Sequence, residues 1–265
     1  MTIGVALEHS RGIILGTDSL FTFGEAPYQK HGTKIAHIGY NIGLLSAGSV
    51  DFFKEIYRRL EAYSQLDQLS VPSAAKLVAE QMAEFYLTLT QRFGKRSIEE
   101  TIHLAPVDML VAGIGTDNRP YIFHVRPPGI EGPVDDFEVI GSGIFYAGSA
   151  IQKRYNSKMT AEQTGTLTVR AIHEASQMDP HVGGDIILAS IEYNPEHPEN
   201  PPFHSQWGQS HLEQYMDIIR AEDAAIRALY GDDTEGSDTT RKLLREIRSN
   251  VSGLRFQLRQ DRQPE

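Results

Sequence analysis

The chain has 265 residues, 40% of them hydrophobic, and no cysteine. That is enough apolar mass for a core, and it excludes wholesale disorder, disulfides, cysteine nucleophiles and thiolate metal sites. Twenty-five basic against 35 acidic side chains give a formal charge of −10, which argues against a surface that coats nucleic acid or an anionic membrane. No apolar run approaches the roughly 20 residues of a membrane span. The opening MTIGVALEHSRG lacks the basic-then-apolar layout of a signal peptide, so a soluble, cytoplasmic protein is expected.

Ile3 to Leu7 and Ile13 to Leu15 are apolar runs around Glu8-His9-Ser10-Arg11-Gly12, which predicts a β-hairpin close to the first residue. Lys34 to Ile38 and Ile42 to Leu45 form a second pair of strands around Gly39-Tyr40-Asn41. Over residues 49–66 the spacing becomes helical, with Phe52, Phe53, Ile56, Tyr57, Leu60 and Tyr63 at steps of three and four. A second helix is predicted from Ser73 to Phe93, between Pro72 and Gly94. Strands follow at Val107 to Ile114, Tyr121 to Val125 and Phe137 to Ile140, then helices at 144–156 and 160–178, then a strand from Asp185 to Tyr193. Strands and helices in blocks predict layered α+β packing, not an alternating doubly wound sheet.

Residues 194–202 contain four prolines in nine positions, and 195–210 reads as a Pro-rich linker. Beyond it, residues 211–265 read as a helical extension. One helix over 211–230 carries Leu212, Tyr215, Ile219, Ile226 and Leu229 on one face; another over 238–260 carries Leu244, Ile247, Val251, Leu254 and Leu258. Residues 211–240 hold eight acids and two bases, and 241–265 hold seven bases and three acids. The pair reads as a helical hairpin with solvated outer faces or as a subunit contact.

The ten histidines show no HxxxH, HxH or HExxH arrangement, so neither a metal site nor a cofactor is expected. Gly141-Ser142-Gly143 begins like a dinucleotide fingerprint, but Tyr146 stands where the third glycine belongs. Phosphate-loop and nucleophile-elbow motifs are missing as well.

Thr2 follows an initiator methionine and is small enough for aminopeptidase removal of that methionine to expose it. A free N-terminal threonine carries a nucleophile and a base in one residue: its hydroxyl attacks a carbonyl while its α-amine takes the proton. The amine's ordinary pKa, about 7.7–8.0, suits a general base near neutrality. Asp18 lies 16 residues on and Lys34 lies 32 residues on, and Ser46-Ala47-Gly48-Ser49 closes a strand before a helix. Singly, Asp18 also reads as a turn cap and Lys34 as a solvated strand start.

Together these residues resemble the proteasome β-type family of N-terminal nucleophile (Ntn) hydrolases. The spacings of Thr2, Asp18 and Lys34 match that family without a gap. Gly48 falls on its oxyanion glycine, and Val139-Ile140-Gly141-Ser142-Gly143 on its second glycine-serine signature, with Ser142 as the supporting serine. Asp179 and Gly183 match its late Asp-x-x-Ser-Gly segment, but Val182 stands where a serine is usual. The resemblance covers residues 2–194 and marks a divergent prokaryotic member.

It implies a four-layer α-β-β-α sandwich over residues 1–194 and amide-bond hydrolysis by Thr2, with Asp18 and Lys34 activating the hydroxyl. Gly48 would stabilise the oxyanion, and Ser142 and Asp179 would orient the amine and its water. It also places Phe21, Thr22, Ala36, Ser46, Val50 and Lys54 along the substrate side-chain pocket. The expected partners are a peptide or protein substrate, further copies of the chain in a ring or open ring, and an unfoldase. A non-catalytic scaffold subunit and a narrow amidase or transpeptidase are the alternatives.

Overall fold

The computed structural model describes residues 2–23, 26–32, 34–39, 41–62, 69–94, 97–127, 129–194, 196 and 203–230. The chain divides into two compact units, Met1–Trp207 and Gly208–Glu265.

In the first unit, β1 (Ile3–His9) and β2 (Gly12–Asp18) form the predicted hairpin. A second hairpin, β3 (Leu20–Phe23) with β4 (Ala26–His31), precedes the pair β5 (Ile35–Ile38) and β6 (Ile42–Gly48). Three helices follow: α1 (Val50–Glu61), α2 (Val71–Phe93) and α3 (Ile98–Leu104). Next come β7 (Val107–Ile114), β8 (Pro120–Arg126), β9 (Gly129–Val134) and β10 (Phe137–Gly141). Helices α4 (Ile144–Gln152) and α5 (Ala161–Met178) lead to β11 (Ile186–Glu192) and β12 (Phe203–Gln206).

Two five-stranded antiparallel sheets result, ordered β10-β1-β2-β11-β12 and β5-β6-β7-β8-β9. The pleat sends alternate side chains to opposite faces, and the strands use it to face two cores at once. In β1, Ile3, Val5 and Leu7 pack with Ala147, Ile151, Leu167 and Ile172 of α4 and α5. Ala6 points the other way and joins Leu15, Leu45, Leu110, Ala112 and Ile122 between the sheets. The outer face of the second sheet packs Leu44, Met109, Val111 and Val125 against Phe52, Ile56, Val78, Met82 and Tyr86 of α1 and α2. The layers are therefore helix, sheet, sheet, helix, the α+β sandwich that the resemblance implied. Apolar runs without alternation, such as Val107 to Ile114, mark strands buried on both faces.

Five elements escape the sequence reading. β3 and β4 are short, and β9 (GIEGPV) carries two glycines and a proline that argue against a strand; β9 is held by the edge of β8. Helix α3 is only seven residues long, and a Ser97–Glu100 capping box starts it. Strand β12 lies inside the stretch expected as a linker and pairs with β11 from Ala189–Gln206 to Glu192–Phe203. The backbone of 203–206 satisfies the open edge of β11, a long-range pairing that local proline content does not reveal. Helix α2 starts at Val71, not Ser73: Ser70 caps it by accepting the Ser73 N–H, and Pro72 occupies the first turn, where no N–H is needed.

The second unit contains α6 (Gln209–Tyr230), with Leu212, Tyr215 and Ile219 buried at helical spacing; Ile226, expected on the same stripe, is 47% exposed. The helix expected over 238–260 lies outside the described residues. None of the described helices is long and apolar enough to cross a membrane.

Glu8 offers a measurable test of the packing at the end of β1. Its N–H donates to the Asp136 carbonyl at 2.8 Å. Partial burial, with Asp136 and Asp135 alongside, pushes its carboxyl from the ordinary 4.5 up to about 7. Folding thus favours the protonated acid: this contribution is fully present below pH 4.5 and is lost as pH rises through 7. Glu8→Gln is expected to raise stability at pH 8 by about 1–2 kcal/mol, allowing for solvent screening, and to change little at pH 4. Denaturant titrations at the two pH values check this; equal effects at both would refute it.

Candidate active site

Thr2, Asp18 and Lys34 meet at one end of the gap between the sheets. Antiparallel pairing of β1 with β2 sets Gly4 opposite Thr17, so Asp18, one residue further, lies beside the start of β1. Lys34 enters from the other sheet, just ahead of β5, where its carbonyl accepts the Ser46 N–H at 3.3 Å. All three residues are buried, at 3%, 1% and 2% relative exposure. A buried Lys34 replaces the solvated strand start considered from sequence.

The Thr2 hydroxyl donates to Asp18 Oδ1, and the Lys34 ammonium donates to Thr2 Oγ1. Lys34 Nζ also donates to Asp18 Oδ1 at 2.7 Å and to the Leu20 carbonyl at 2.6 Å. Asp18 is held in turn by the Ile3 N–H on Oδ1 and the Gly183 N–H on Oδ2, each at 3.1 Å. Burial pushes the Lys34 ammonium below its ordinary pKa, while the Asp18 carboxylate opposes that shift. The result is a hydroxyl set between a carboxylate and an ammonium, both fixed and away from water.

Two glycines bring backbone to this point. At Gly48, φ is +110°, and a Cβ would stand 2.0 Å from the Pro106 carbonyl oxygen, so no other residue fits without movement. The Ser46 N–H points to the β5 edge, where it meets Lys34; the Gly48 N–H, two residues on, points to the same edge beyond Lys34. At Gly141, φ is +99°, and a Cβ would lie 2.0 Å from the Thr2 carbonyl oxygen. That close approach lets the Ser142 N–H donate to the Thr2 carbonyl at 3.0 Å. Ser142 Oγ is buried without a hydrogen-bond partner among the described residues.

The profile of the family described as proteasome subunit matches residues 2–191. The chain belongs to the proteasome subunit family. Among its relatives, proteasome subunit beta 2 of Sulfurisphaera tokodaii is 25% identical over 196 residues, 73% of this chain and 86% of the relative. Proteasome subunit beta of Thermoplasma acidophilum is 27% identical over 193 residues, 72% of this chain and 83% of the relative. Among solved structures, Anbu from Hyphomicrobium sp. strain MC1 superposes with a TM-score of 0.65 at 17% identity, covering 87% of this chain and 97% of that one. Low identity throughout marks a divergent member of this proteasome-like Ntn group.

The remaining expected site residues of this proteasome-family chain are less closely joined. Asp179 caps the end of α5 and turns onto its own loop, where Oδ1 accepts the His181 N–H at 2.9 Å; it shares no hydrogen bond with Thr2 among the described residues. Val182, in the usual serine position, is an apolar core residue beside Ile3 and Gly143. In the expected pocket, the β5–β6 register pairs Ala36 with Leu44. The Ser46 N–H meets Lys34, which sets Ala36 and Ser46 diagonally on one face. Ala36 packs against the α1–α2 core, Ser46 is buried, and Lys54 on α1 is exposed. Phe21 and Thr22 lie in β3 opposite Lys30 and Gln29; their side chains, and that of Val50, lie outside the described residues.

Sequence reasoning missed the Leu20 carbonyl and the Ile3 N–H, and it did not foresee that the Gly183 N–H would hold Asp18. All three are backbone groups, so no side-chain identity announces them. Among the described residues no group of three or more His, Asp or Glu could hold a metal ion.

Proposed function

We propose that the chain is a threonine-type peptidase that cleaves amide bonds through Thr2 once Met1 is removed. The observation that carries this reading is the buried, hydrogen-bonded set of Thr2 Oγ1, Lys34 Nζ and Asp18 Oδ1. Lys34, with its charge anchored by Asp18, lowers the cost of developing negative charge on Thr2 Oγ1. The freed α-amine of Thr2 takes the hydroxyl proton, directly or through water, as Oγ1 bonds to the scissile carbonyl carbon.

The Gly48 N–H donates to the oxygen that becomes an oxyanion, a contribution of about 3–4 kcal/mol for one such donor. Collapse of the tetrahedral species breaks the C–N bond, returns the proton to the leaving amine and leaves an ester on Thr2. Water, deprotonated by the same amine, then releases the acid. Ser142 Oγ, buried and without a hydrogen-bond partner among the described residues, suits the amine or its water, and Asp179 supports the loop that carries Gly183. Ala36 and Ser46, with Phe21, Thr22, Val50 and Lys54, would receive the substrate side chain.

Several copies would assemble into a closed or open ring, in the cytoplasm; that the relatives are named as subunits supports an assembly. An extended polypeptide, supplied by an unfoldase, suits a nucleophile that is 3% exposed. Residues 1–194 form the hydrolase domain on this reading, and the C-terminal extension is a subunit contact.

The test is a pair of mass spectra on cell-derived protein. The intact mass should lack Met1, and a peptide epoxyketone, which needs both the hydroxyl and the free amine to close its ring, should add to Thr2. Retained Met1 without an adduct would refute the reading and favour a non-catalytic scaffold subunit.

A further inference from the structure

The ladder between β1 and β2 runs from His9 opposite Gly12 to Gly4 opposite Thr17 and stops there. Ile3, the next residue toward the nucleophile, still turns its N–H and C=O to the β2 side, because the two backbone groups of one strand residue share an edge. Side chains of two consecutive residues replace the missing ladder bonds. Asp18 Oδ1 accepts the Ile3 N–H at 3.1 Å, and the Thr17 hydroxyl donates to the Ile3 carbonyl at 2.7 Å. Thr17 Oγ1 also lies 3.1 Å from the Asp18 carbonyl.

Thr17 is fully buried, on the same face of β2 as Ile13 and Leu15, which pack between the sheets. Packing alone would be served by valine, which has the same shape and no hydroxyl to desolvate. The hydroxyl therefore needs a reason other than filling space, and the shorter of its two hydrogen bonds, 2.7 Å against 3.1 Å, goes to the carbonyl of the residue that follows the nucleophile.

We propose that Thr17 is a positioning residue for Thr2. It rests on the reading of Thr2 as nucleophile. Asp18 Oδ1 receives the Ile3 N–H, the Thr2 hydroxyl and the Lys34 ammonium together. With the Ile3 carbonyl released, the peptide between Ile3 and Gly4 rocks, the start of β1 shifts, and the hydroxyl leaves its line with Lys34. Misplacement of a reacting atom by about 1 Å costs about 100-fold in rate. The Thr17 hydroxyl bonds Ile3 and Asp18 and none of β3, β5, β6 and α1, which would line the substrate pocket, so the loss falls on the chemical step and not on binding.

The full-length chain, its Thr17→Val and its Thr17→Ser variants are labelled with the peptide epoxyketone at a series of concentrations, and each is melted. Thr17→Val should label at least 10-fold more slowly at saturating probe. Its half-saturating concentration should stay within about twofold, and its melting temperature within a few degrees. Thr17→Ser should recover to within about threefold of the parent rate. Should Thr17→Val not fold, Thr17→Ala is read in the same way. Parent-like labelling of the valine or alanine variant, or a serine variant as slow as valine, overturns the role of Thr17 and leaves Thr2 intact. A parent chain that takes no label overturns the reading of Thr2, and with it this one.

Discussion

Thr2→Ala is expected to abolish epoxyketone labelling and all peptidase activity while the chain stays folded. The alanine keeps the α-amine but removes the hydroxyl oxygen placed between Asp18 and Lys34. Loss of a nucleophile removes the covalent route outright, so residual activity should fall by a factor of at least 10³. The stability change should be small, because what is deleted is one hydroxyl and one methyl at the edge of the sandwich, and active-site polar groups are often held at a cost to the fold. Thr2→Ser keeps hydroxyl and amine and should retain labelling at a reduced rate, since its χ1 is less restricted than that of a β-branched residue. Intact mass and a thermal melt on each variant check these outcomes. A fully active Thr2→Ala would end the hydrolase reading.

Lys34→Met should reduce the labelling rate by about 10²- to 10⁴-fold, and it should also destabilise the chain by about 3–5 kcal/mol. The catalytic loss follows from removing the positive charge beside Thr2 Oγ1. The stability loss follows from leaving Asp18, 1% exposed, as a buried carboxylate without its ammonium. The double variant Asp18→Asn/Lys34→Met separates the two effects. A neutral pair of similar shape should regain much of the stability and none of the rate, because the buried pair is replaced and the charge is not.

The parent should show a bell-shaped pH profile. Its acid limb belongs to the Thr2 amine, which must be neutral to accept a proton. Its alkaline limb belongs to Lys34, which must be charged and which burial holds below the ordinary 10.5. Activity that keeps rising past the ordinary lysine range would remove Lys34 from the mechanism.

Much of the fold was legible because its signals are local. The β1–β2 hairpin, the helices α1, α2, α4, α5 and α6 and the strands β6, β7, β8, β10 and β11 follow from apolar periodicity and from punctuation by Gly and Pro. β12 and β9 were not legible, because each is an edge strand of weak propensity that exists through pairing with a long partner. Helix α3 was too short to show a period.

In the site, Thr2, Asp18 and Lys34 were legible as a set of spacings, and the structure gives those spacings a cause. Sixteen residues carry the chain from the start of β1 around one hairpin to the end of β2, and the next strand pair returns it at Lys34. Asp179 was expected among the groups around the amine, but its carboxylate is engaged with its own loop at His181.

The sequence by itself determined the residue types that carry chemistry and the blocks in which strands and helices follow one another, since side-chain identity and apolar pattern are properties of local segments. Burial, and the partners burial imposes, were decided only by the tertiary structure. Lys34 reads as an exposed strand start until two sheets close around it. The carbonyl of Leu20 and the amides of Ile3 and Gly183 hold the site although any residue could supply them. Thr17 reads as an unremarkable strand residue until the ladder beside it ends one position short of Ile3, because a hydrogen-bond donor acquires a role only from where the fold places its acceptor.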